Sequence, residues 1–321
     1  MSFSVTSFSG MDNITPGVRG SIAHPLSIID ALVDGTGELS VRGGSSKVAS
    51  LTGCKNLWRS PGTGYTYCTD SGYLYTWNGA SFTVVRAISG EGKVYFANID
   101  KIDYCGNKHW LAAIDRGVAK VWGESANNLQ NMNWQSSENG SVLFLRDSFG
   151  EETVIPHPGE LVHAPLPFDC ITAAHGRIWG VRGNKVIYSY PLVYDWFEDV
   201  TNNIDFLNET TMIAPTSTGL FVGTTKEVYF FQGTSPEESV GRIVSSSGAL
   251  KDSLVISKSF LEFPDNTPVW MEANGNIVAG TIDGQIVPLT KNRVQINSPA
   301  ECSAGQVTIN GTQIILQRVG V

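Results

Sequence analysis

A hairpin pattern that recurs along the chain constrains its fold more than any other feature. Residues 218–233 read TGLFVGTTKEVYFFQG, with two short apolar runs on either side of a polar tip at Thr224 to Glu227. This pattern is typical of a β-hairpin. Helical periodicity is nearly absent, so the chain is predicted to be all-β. Similar segments occur at 64–79, 107–123, 140–156, 176–190 and 274–289.

The spacing of the hairpin tips predicts a β-propeller. Successive tips are mostly separated by roughly 33 to 58 residues, around the blade period of propellers. Each hairpin supplies two of the four strands of a blade, so the pattern predicts about six blades, with five or seven as alternatives. A pair of β-sandwiches or a β-solenoid is the structural alternative. Closure is predicted to pair Glu38–Arg42, or a neighbour, with a hairpin at 307–319, where Asn310-Gly311 forms the tip.

The start of the chain differs from the rest. Residues 1–36 are predicted to form an extended N-terminal arm, and residues 37–321 the propeller domain. The arm is interrupted by glycine, proline and serine, and His24 to Val33 is its one helix-compatible piece. Its apolar side chains need a partner surface, which an adjacent subunit could provide. The candidate assembly residues are Ile14, Val18, Ile22, Leu26, Ile29 and Leu32.

Composition excludes several classes of protein. The formal net charge is −8, and no cluster of lysine and arginine occurs, which argues against sequence-specific or general nucleic-acid binding. No apolar run is long enough for a membrane-spanning helix, so no membrane span is expected. No apolar leader is recognised at the start.

Cysteine and histidine spacing predicts neither a metal site nor a cofactor. The five cysteines are odd in number and widely spaced, and we expect buried, reduced thiols in a protein made in a cytosol. The five histidines lack the spacing of zinc ligands. Nucleophile-elbow, P-loop and dinucleotide-binding motifs are missing as well. No catalytic, cofactor-binding or metal-binding residue is therefore predicted.

Two segments come nearest to enzymatic motifs. CTDSGYLYTW (68–77) approaches the Asp-box of sialidase-type propellers, although Cys68 replaces the hydroxyl residue. We interpret it as a turn-stabilising device, because such an aspartate bonds the backbone of a hairpin tip. Asp195, Glu198 and Asp199 surround Trp196-Phe197, and a glycosidase needs two carboxylates across a pocket. The favoured interpretation is a blade-connecting loop with an aromatic anchor. Asp100 and Asp103 are likewise expected in a loop or at a strand edge.

Three segments together resemble a family of bacteriophage virion proteins. The segments are SFSGMDNITP…IDALVDGTGELSVRGG, HGRIWGVRGNKVIYSYPLVYDWFED and GLFVGTTKEVYFFQGTSPEE, from residues 1–45 and 172–240. The resemblance is to β-propeller proteins of the head-to-tail hub, which stabilise packaged DNA in short-tailed phages.

The resemblance implies a non-enzymatic structural component of a virion tail or neck. Such a protein would be made in the bacterial host cytoplasm, assemble into a symmetric homo-oligomeric ring and contact other tail or neck proteins. A tail-tip receptor-binding propeller is the alternative, and a glycan-processing enzyme that uses Asp195 and Glu198 is the third possibility. The residues expected on loops that contact surface glycan are Trp134, Tyr194, Trp196 and Phe197.

Overall fold

The computed structural model describes most of the chain between residues 31 and 320. The described ranges are 31–33, 39–41, 51, 54–77, 79–88, 92–115, 118–123, 134–136, 142–146, 152–156, 166–198, 201–257, 263–290, 301–309 and 312–320. The chain divides into two compact units. Unit 1 comprises Met1–Val48 with Ala214–Val321, and unit 2 comprises Ala49–Ile213.

Every regular element in these ranges is a β-strand, and every described pairing is antiparallel. The first two strands are β1 (Ala31–Val33) and β2 (Leu39–Val41). Unit 2 contains two four-stranded meanders, a three-stranded sheet and a five-stranded sheet. In chain order its strands are β3 (Lys55–Arg59), β4 (Thr66–Asp70), β5 (Tyr73–Trp77), β6 (Phe82–Ala87), β7 (Tyr95–Ile99), β8 (Ile102–Asn107), β9 (Trp110–Asp115), β10 (Val118–Gly123), β11 (Trp134–Ser136), β12 (Val142–Arg146), β13 (Glu152–Pro156), β14 (Cys170–Ala174), β15 (Arg177–Arg182), β16 (Lys185–Tyr190), β17 (Val193–Phe197) and β18 (Asn203–Asp205).

The remaining strands form two more four-stranded meanders and a long terminal hairpin. Strand β19 crosses the boundary between the units. The strands are β19 (Thr210–Pro215), β20 (Gly219–Thr224), β21 (Val228–Gln232), β22 (Val240–Ser245), β23 (Val255–Ser257), β24 (Thr267–Met271), β25 (Ile277–Gly280), β26 (Ile286–Pro288), β27 (Glu301–Ile309) and β28 (Thr312–Gly320).

The antiparallel meander of four strands is the blade unit of a β-propeller, and the fold belongs to this all-β class. Each of the six hairpins predicted from the sequence pairs as expected. In the 218–233 segment, for example, Gly223 pairs with Val228 around the predicted tip. The number of blades stays a prediction.

The terminal hairpin is present, but Leu39–Val41, within its predicted partner Glu38–Arg42, does not pair with it; the neighbours of that segment lie outside the described residues. Ile309 pairs with Thr312 around the Asn310-Gly311 tip, as the sequence indicated. In the described residues, however, β27 and β28 pair only with each other, and β2 pairs with β1. Closing a short loop costs less conformational entropy than closing a long one, and this favours pairing with a strand nearby in sequence.

The predicted helical piece of the arm is also wrong at its end. Ala31–Val33 is a strand, paired with Leu39–Val41 across the proposed boundary at residue 36. Leu32 lies in this strand, and its side chain is outside the described part of the structure. The other five candidate assembly residues of the arm lie outside the described ranges, so their role stays a prediction.

Strands β7 to β9 bury side chains on both faces of their sheet, and the alternation of their sequence shows why. Side chains alternate between faces along a strand. Ala97, Tyr104 and Leu111 belong to a core cluster shared with strands β14 to β17. Cys105 and Ala112, each next to a residue of the first cluster, belong to another cluster shared with β4 and β5. Sheet β7–β10 therefore lies between its two neighbours in unit 2.

Unit 1 has an aromatic core of its own. The Phe221 ring lies 4.7 Å from the Phe230 ring and 5.4 Å from the Trp270 ring, measured between centroids. All three side chains are fully buried. Gly280 allows this packing, because a Cβ atom there would lie 2.6 Å from Phe221.

Among the described residues, no helix has the length and apolar character needed to cross a membrane.

The close contact at Gly180 gives a test of the packing in unit 2. A Cβ atom at Gly180 would lie 2.3 Å from the ring of Phe168, which is buried. We expect Gly180→Ala to lower the free energy of unfolding by about 1–3 kcal/mol, because a filled core must be displaced. Urea denaturation measures the change. Thr83→Ala, on the exposed side of β6, is the control and should change stability by no more than about 0.5 kcal/mol. Equal effects of the two substitutions would contradict the packing.

Candidate functional site

The structure places the predicted glycan-contacting residues in strands rather than loops. Tyr194, Trp196 and Phe197 belong to β17, and Trp134 begins β11. Phe197 is fully buried in the core cluster, so the prediction that it reaches solvent from a loop is wrong. The physical reason is alternation in β17, which turns Phe197 towards the ring of Phe168 at 5.4 Å. The side chains of Trp134 and Trp196 are outside the described part of the structure.

Tyrosine–carboxylate pairs link two neighbouring sheets of unit 2. Tyr104 on β8 donates a hydrogen bond from its hydroxyl to Asp195 on β17, at 2.7 Å. Tyr194 on β17 donates in the opposite direction to Asp100, at 2.5 Å. Asp100 lies in the turn between β7 and β8 and has a φ of 52°. Each sheet therefore supplies one phenol and one carboxylate to its neighbour.

A third pair lies within the same sheet as β17. Tyr190 donates its hydroxyl hydrogen to Glu198 at 2.5 Å, and Glu198 is buried. A buried carboxylate is stabilised when a donor replaces lost water. Asp195 and Glu198, the two acids considered for a glycosidase, thus both accept hydrogen bonds from tyrosines.

The pKa values of the tyrosines fit a donor role. Burial raises the pKa of Tyr104 well above its ordinary value, and the negative charge of Asp195 raises it further. Burial and the hydrogen bond to Asp100 raise the pKa of Tyr194 to about 12. Both phenols therefore keep their protons at neutral pH and act as donors.

A buried aspartate, Asp103, forms the most connected polar centre in the described residues of unit 2. Its Oδ1 accepts hydrogen bonds from Ser60 Oγ at 2.6 Å and Asn98 Nδ2 at 2.7 Å. Its Oδ2 accepts from Thr63 Oγ1 at 2.6 Å and from the Tyr67 hydroxyl at 2.9 Å. A carboxylate has about four lone-pair sites, and these four donors fill them. Asp103 thereby joins the turn after β3 and strand β4 to strands β7 and β8.

Local structure aims the donors at Asp103. The turn from Ser60 to Tyr65 is closed by a hydrogen bond from the Ser60 amide to the Tyr65 carbonyl. The Thr63 amide also donates to Ser60 Oγ at 3.1 Å. Gly62 lets Asn98 pack against this turn, because a Cβ atom there would lie 2.2 Å from Asn98 Oδ1.

The sequence interpretation missed the centre at Asp103. It expected Asp103 in a loop or at a strand edge, but Asp103 lies inside β8 and is 1% exposed. The available signal was alternation, since Asp103 and the buried Cys105 are two residues apart and share a face. Its four partners come from three other elements, and sequence spacing gives no indication of them.

The Asp-box-like segment forms a tight hairpin, as interpreted from the sequence. Asp70 pairs with Tyr73 around a two-residue tip at Ser71 and Gly72. Both tip residues have positive φ, at 48° and 80°, which is the geometry of a type I′ turn. Asp70 accepts a hydrogen bond from the Ser71 hydroxyl at 2.9 Å. The interpretation had expected the backbone of the tip to be the donor.

Cysteine and metal predictions can be compared with the described residues. Cys68, Cys105, Cys170 and Cys302 are buried and reduced, whereas Cys54 is exposed, contrary to the expectation of buried thiols throughout. No group of three or more potential metal ligands was found among the residues that the structure describes.

Comparison with known proteins gives fold-level likeness only. No protein-family model and no curated protein sequence matches the chain. The extracellular domain of a proposed hybrid two-component system from B. thetaiotaomicron is similar at 15% identity and a TM-score of 0.37. The alignment covers 81% of this chain and 38% of that domain, so the chain spans well under half of its length.

Two other solved structures are similar over more of their own length. The Neurospora crassa Pan2 WD40 domain has 9% identity and a TM-score of 0.36, with 73% of this chain and 78% of that domain covered. Kluyveromyces lactis Hsv2 has 10% identity and a TM-score of 0.37, with coverage of 82% and 89%. Because these scores are below 0.5, the fold assignment rests on the sheets of the chain itself.

The Asp103 centre predicts a large effect from a small substitution. In Asp103→Asn, the new NH₂ group either faces the Asn98 amide, which can only donate, or forces the Thr63 and Tyr67 hydroxyls to give up donating to residue 103. We expect the free energy of unfolding to fall by about 1–3 kcal/mol, the cost of an unsatisfied buried group, as measured by urea denaturation. Asp205→Asn is the matched control, because Asp205 forms an exposed ion pair with Lys185 at 3.0 Å and should contribute at most about 1 kcal/mol. A smaller loss for Asp103→Asn than for the control would contradict the assignment.

The raised pKa of Tyr194 predicts a stability difference that depends on pH. Because folding raises this pKa from 10.0 to about 12, the protonated phenol is favoured in the folded state. The stabilisation is fully present below pH 10 and is lost as the pH rises through about 12. Tyr194→Phe should therefore melt at a lower temperature than the original chain at neutral pH, and the difference should shrink above pH 10. A difference in melting temperature that is constant across this range would argue against the Asp100 contact.

Proposed function

We propose that this protein is a non-enzymatic structural subunit of a bacteriophage tail or neck. It is made in the host cytoplasm and joins the virion as part of a symmetric homo-oligomeric ring, in contact with other tail or neck proteins. The observation that carries the structural role is the use of the acidic side chains in unit 2. The two carboxylates that a glycosidase would need, Asp195 and Glu198, both accept hydrogen bonds from tyrosines: Tyr104 links Asp195 to the neighbouring sheet, and Tyr190 binds Glu198 within one sheet.

The chemistry of these pairs supports a scaffold over a hydrolase. A glycosidase needs one carboxyl group to protonate the leaving oxygen and another to attack or activate water. Tyr104 and Tyr190 occupy lone pairs that such carboxylates would offer to a substrate. The Glu198 side chain is also 1% exposed, which restricts access to sugar.

The virion assignment is supported by the resemblance described above and by the location in the fold of two segments that carry it. HGRIWGVRGNKVIYSY forms β15 and β16, and GLFVGTTKEVYFFQG forms β20 and β21. Both segments are central hairpins of their sheets. Two of the three segments that resemble virion proteins therefore belong to sheets of the fold, which agrees with a structural contribution.

The receptor-binding alternative has less support from the residues named for it. Phe197 is buried, and the Tyr194 hydroxyl is bound to Asp100. Neither group is available to a glycan as it was expected to be. The apolar side chains in the sequence of the N-terminal arm support our proposal that the arm makes the contact with other virion subunits.

Removal of the arm tests the assembly role. We expect a chain without residues 1–30, which keeps the paired strand β1, to remain folded but to leave particles with incomplete tails or lost DNA. The apolar arm residues would otherwise bury surface against a neighbour at about 25 cal/mol per Å², repeated around a ring. Circular dichroism measures folding, analytical ultracentrifugation measures subunit association, and electron microscopy counts complete particles.

A finer variant and a control separate apolar contact from general damage. Serine at Ile14, Val18 and Ile22 should reproduce the defect in particles. Leu207→Ser, at a side chain that is 93% exposed, should not. Infectious particles with complete tails, made with the truncated chain alone, would exclude the proposed role of the arm.

A further inference from the structure

One leucine lies at a hairpin tip of unit 2 in an unfavourable backbone conformation. Strands β16 and β17 are joined by Pro191 and Leu192, and Tyr190 pairs with Val193 across this tip. The ring of Pro191 fixes a negative φ at the first tip position, whereas Leu192 at the second has a φ of 61°. This is the pattern of a type II turn, in which the second position favours glycine or asparagine. A bulky side chain at such a φ is an outlier.

The other residues with positive φ are mostly of types that accept this conformation. Among the described residues, seven that are not glycine have a positive φ, and Leu192 is the one with an apolar side chain. Asparagine, aspartate and histidine are enriched in the left-handed region, and five of the other six belong to these types. The six are Asn56, Ser71, Asp100, His175, Asp252 and Asn266. Backbone preference therefore does not account for a leucine at position 192.

Burial does not account for this leucine either. The Leu192 side chain is 75% exposed. Its amide donates a hydrogen bond to the Gly176 carbonyl at 2.9 Å, which ties the tip to the neighbouring turn of the same sheet. The backbone of the tip is thus fixed while most of the side chain faces solvent, and an anchor that is already in place costs less entropy on binding. Residues held in unfavourable backbone conformations cluster at binding sites and switch regions.

The turn beside Leu192 carries one charge of each sign. Tyr194, two residues further along the chain, donates to Asp100 at 2.5 Å, so the turn between β7 and β8 lies next to the Leu192 tip. Asp100 and Lys101 form this turn, and both are exposed. Two copies that meet at this end of unit 2 can place Asp100 of one copy opposite Lys101 of the other. The charges at this end are therefore self-complementary.

We propose that Leu192 anchors a contact between two copies of this chain, related by a two-fold axis at this end of unit 2. The leucine of each copy packs on the opposing tip, and the adjacent charges align the two copies. A lipid surface would instead attract a cluster of lysine and arginine, which this turn does not have. The inference goes beyond the proposed ring and does not depend on the virion role, because it concerns two copies of one chain.

The small size of this surface indicates a weak contact. A standard interface buries about 800 Å² on each partner, more than one leucine and its neighbouring turn supply. The affinity then depends strongly on the anchor, as it does at interface hot spots. If the chain forms the proposed ring, symmetry repeats the contact and strengthens the pairing of two rings through avidity.

Sedimentation equilibrium of the full chain over a wide range of protein concentrations tests the contact. We expect weak self-association of the original chain, and Leu192→Asn should raise the dissociation constant about tenfold or more, because the anchor is lost. At low concentration, where the chain is a monomer, Leu192→Asn should keep the melting temperature or raise it by roughly 2–4 °C, because asparagine accepts the left-handed conformation. Weaker association without a loss of stability is a result that a purely structural role of Leu192 would not give.

Two further variants assign the effect to this end of unit 2. Leu207→Asn is the matched control, because Leu207 is 93% exposed and follows Phe206, whose amide donates to Asn184 at the opposite end of β16. It should associate like the original chain. Lys101→Glu should weaken association, because like charges of the two copies then face each other.

Three results would overturn the proposal. One is a chain that stays monomeric throughout, and another is a Leu192→Asn chain that associates like the original. The third is a lower melting temperature of Leu192→Asn, which would assign the leucine to the stability of the tip. Defective particles from Leu192→Asn with unchanged self-association would identify another protein as the partner and would equally contradict a contact between copies. The role of the arm is tested separately by its removal.

Discussion

The burial of both faces of one sheet is the constraint on which unit 2 depends. Strands β7 to β9 send alternate side chains into two different cores, one shared with β4 and β5 and the other with β14 to β17. Neither face of such a sheet is exposed to solvent. Each buried position must therefore carry an apolar side chain or a polar one with a hydrogen-bond partner. Ala97 and Leu111 meet the first condition for one core, and Ala112 and Ile114 meet it for the other.

Most of the hydrogen bonds that satisfy Asp103 and the tyrosine–carboxylate pairs come from the neighbouring sheet. Asp103 accepts four hydrogen bonds from neutral donors, and the tyrosine–carboxylate pairs exchange donors in both directions. Isolated, each group would carry a desolvation cost of a few kcal/mol. When these carboxylates are hydrogen-bonded to their donors, they fix how the apolar interfaces are aligned. A hydrogen bond depends on direction, whereas the burial of apolar surface does not. This is how carboxylates can serve structure in a chain with an acidic net charge.

Much of the local structure could be predicted from the sequence. The six hairpins follow from short apolar runs separated by residues that accept turn conformations, such as Ser71-Gly72 with positive φ at both positions. The Asn310-Gly311 tip was predicted for the same reason. The centre at Asp103 could not be predicted in this way. It depends on which strands become neighbours.

The all-β class and the positions of the hairpins follow from the sequence alone, because turn chemistry and alternation act between residues close along the chain. The contacts of each side chain depend on the tertiary structure. Phe197, expected on a loop, is in a core, and Leu39–Val41, expected to pair with the terminal hairpin, pairs with Ala31–Val33. A side chain's face follows from its neighbours in sequence. Its partner follows from how separate strands pack, and that packing is a property of the whole unit.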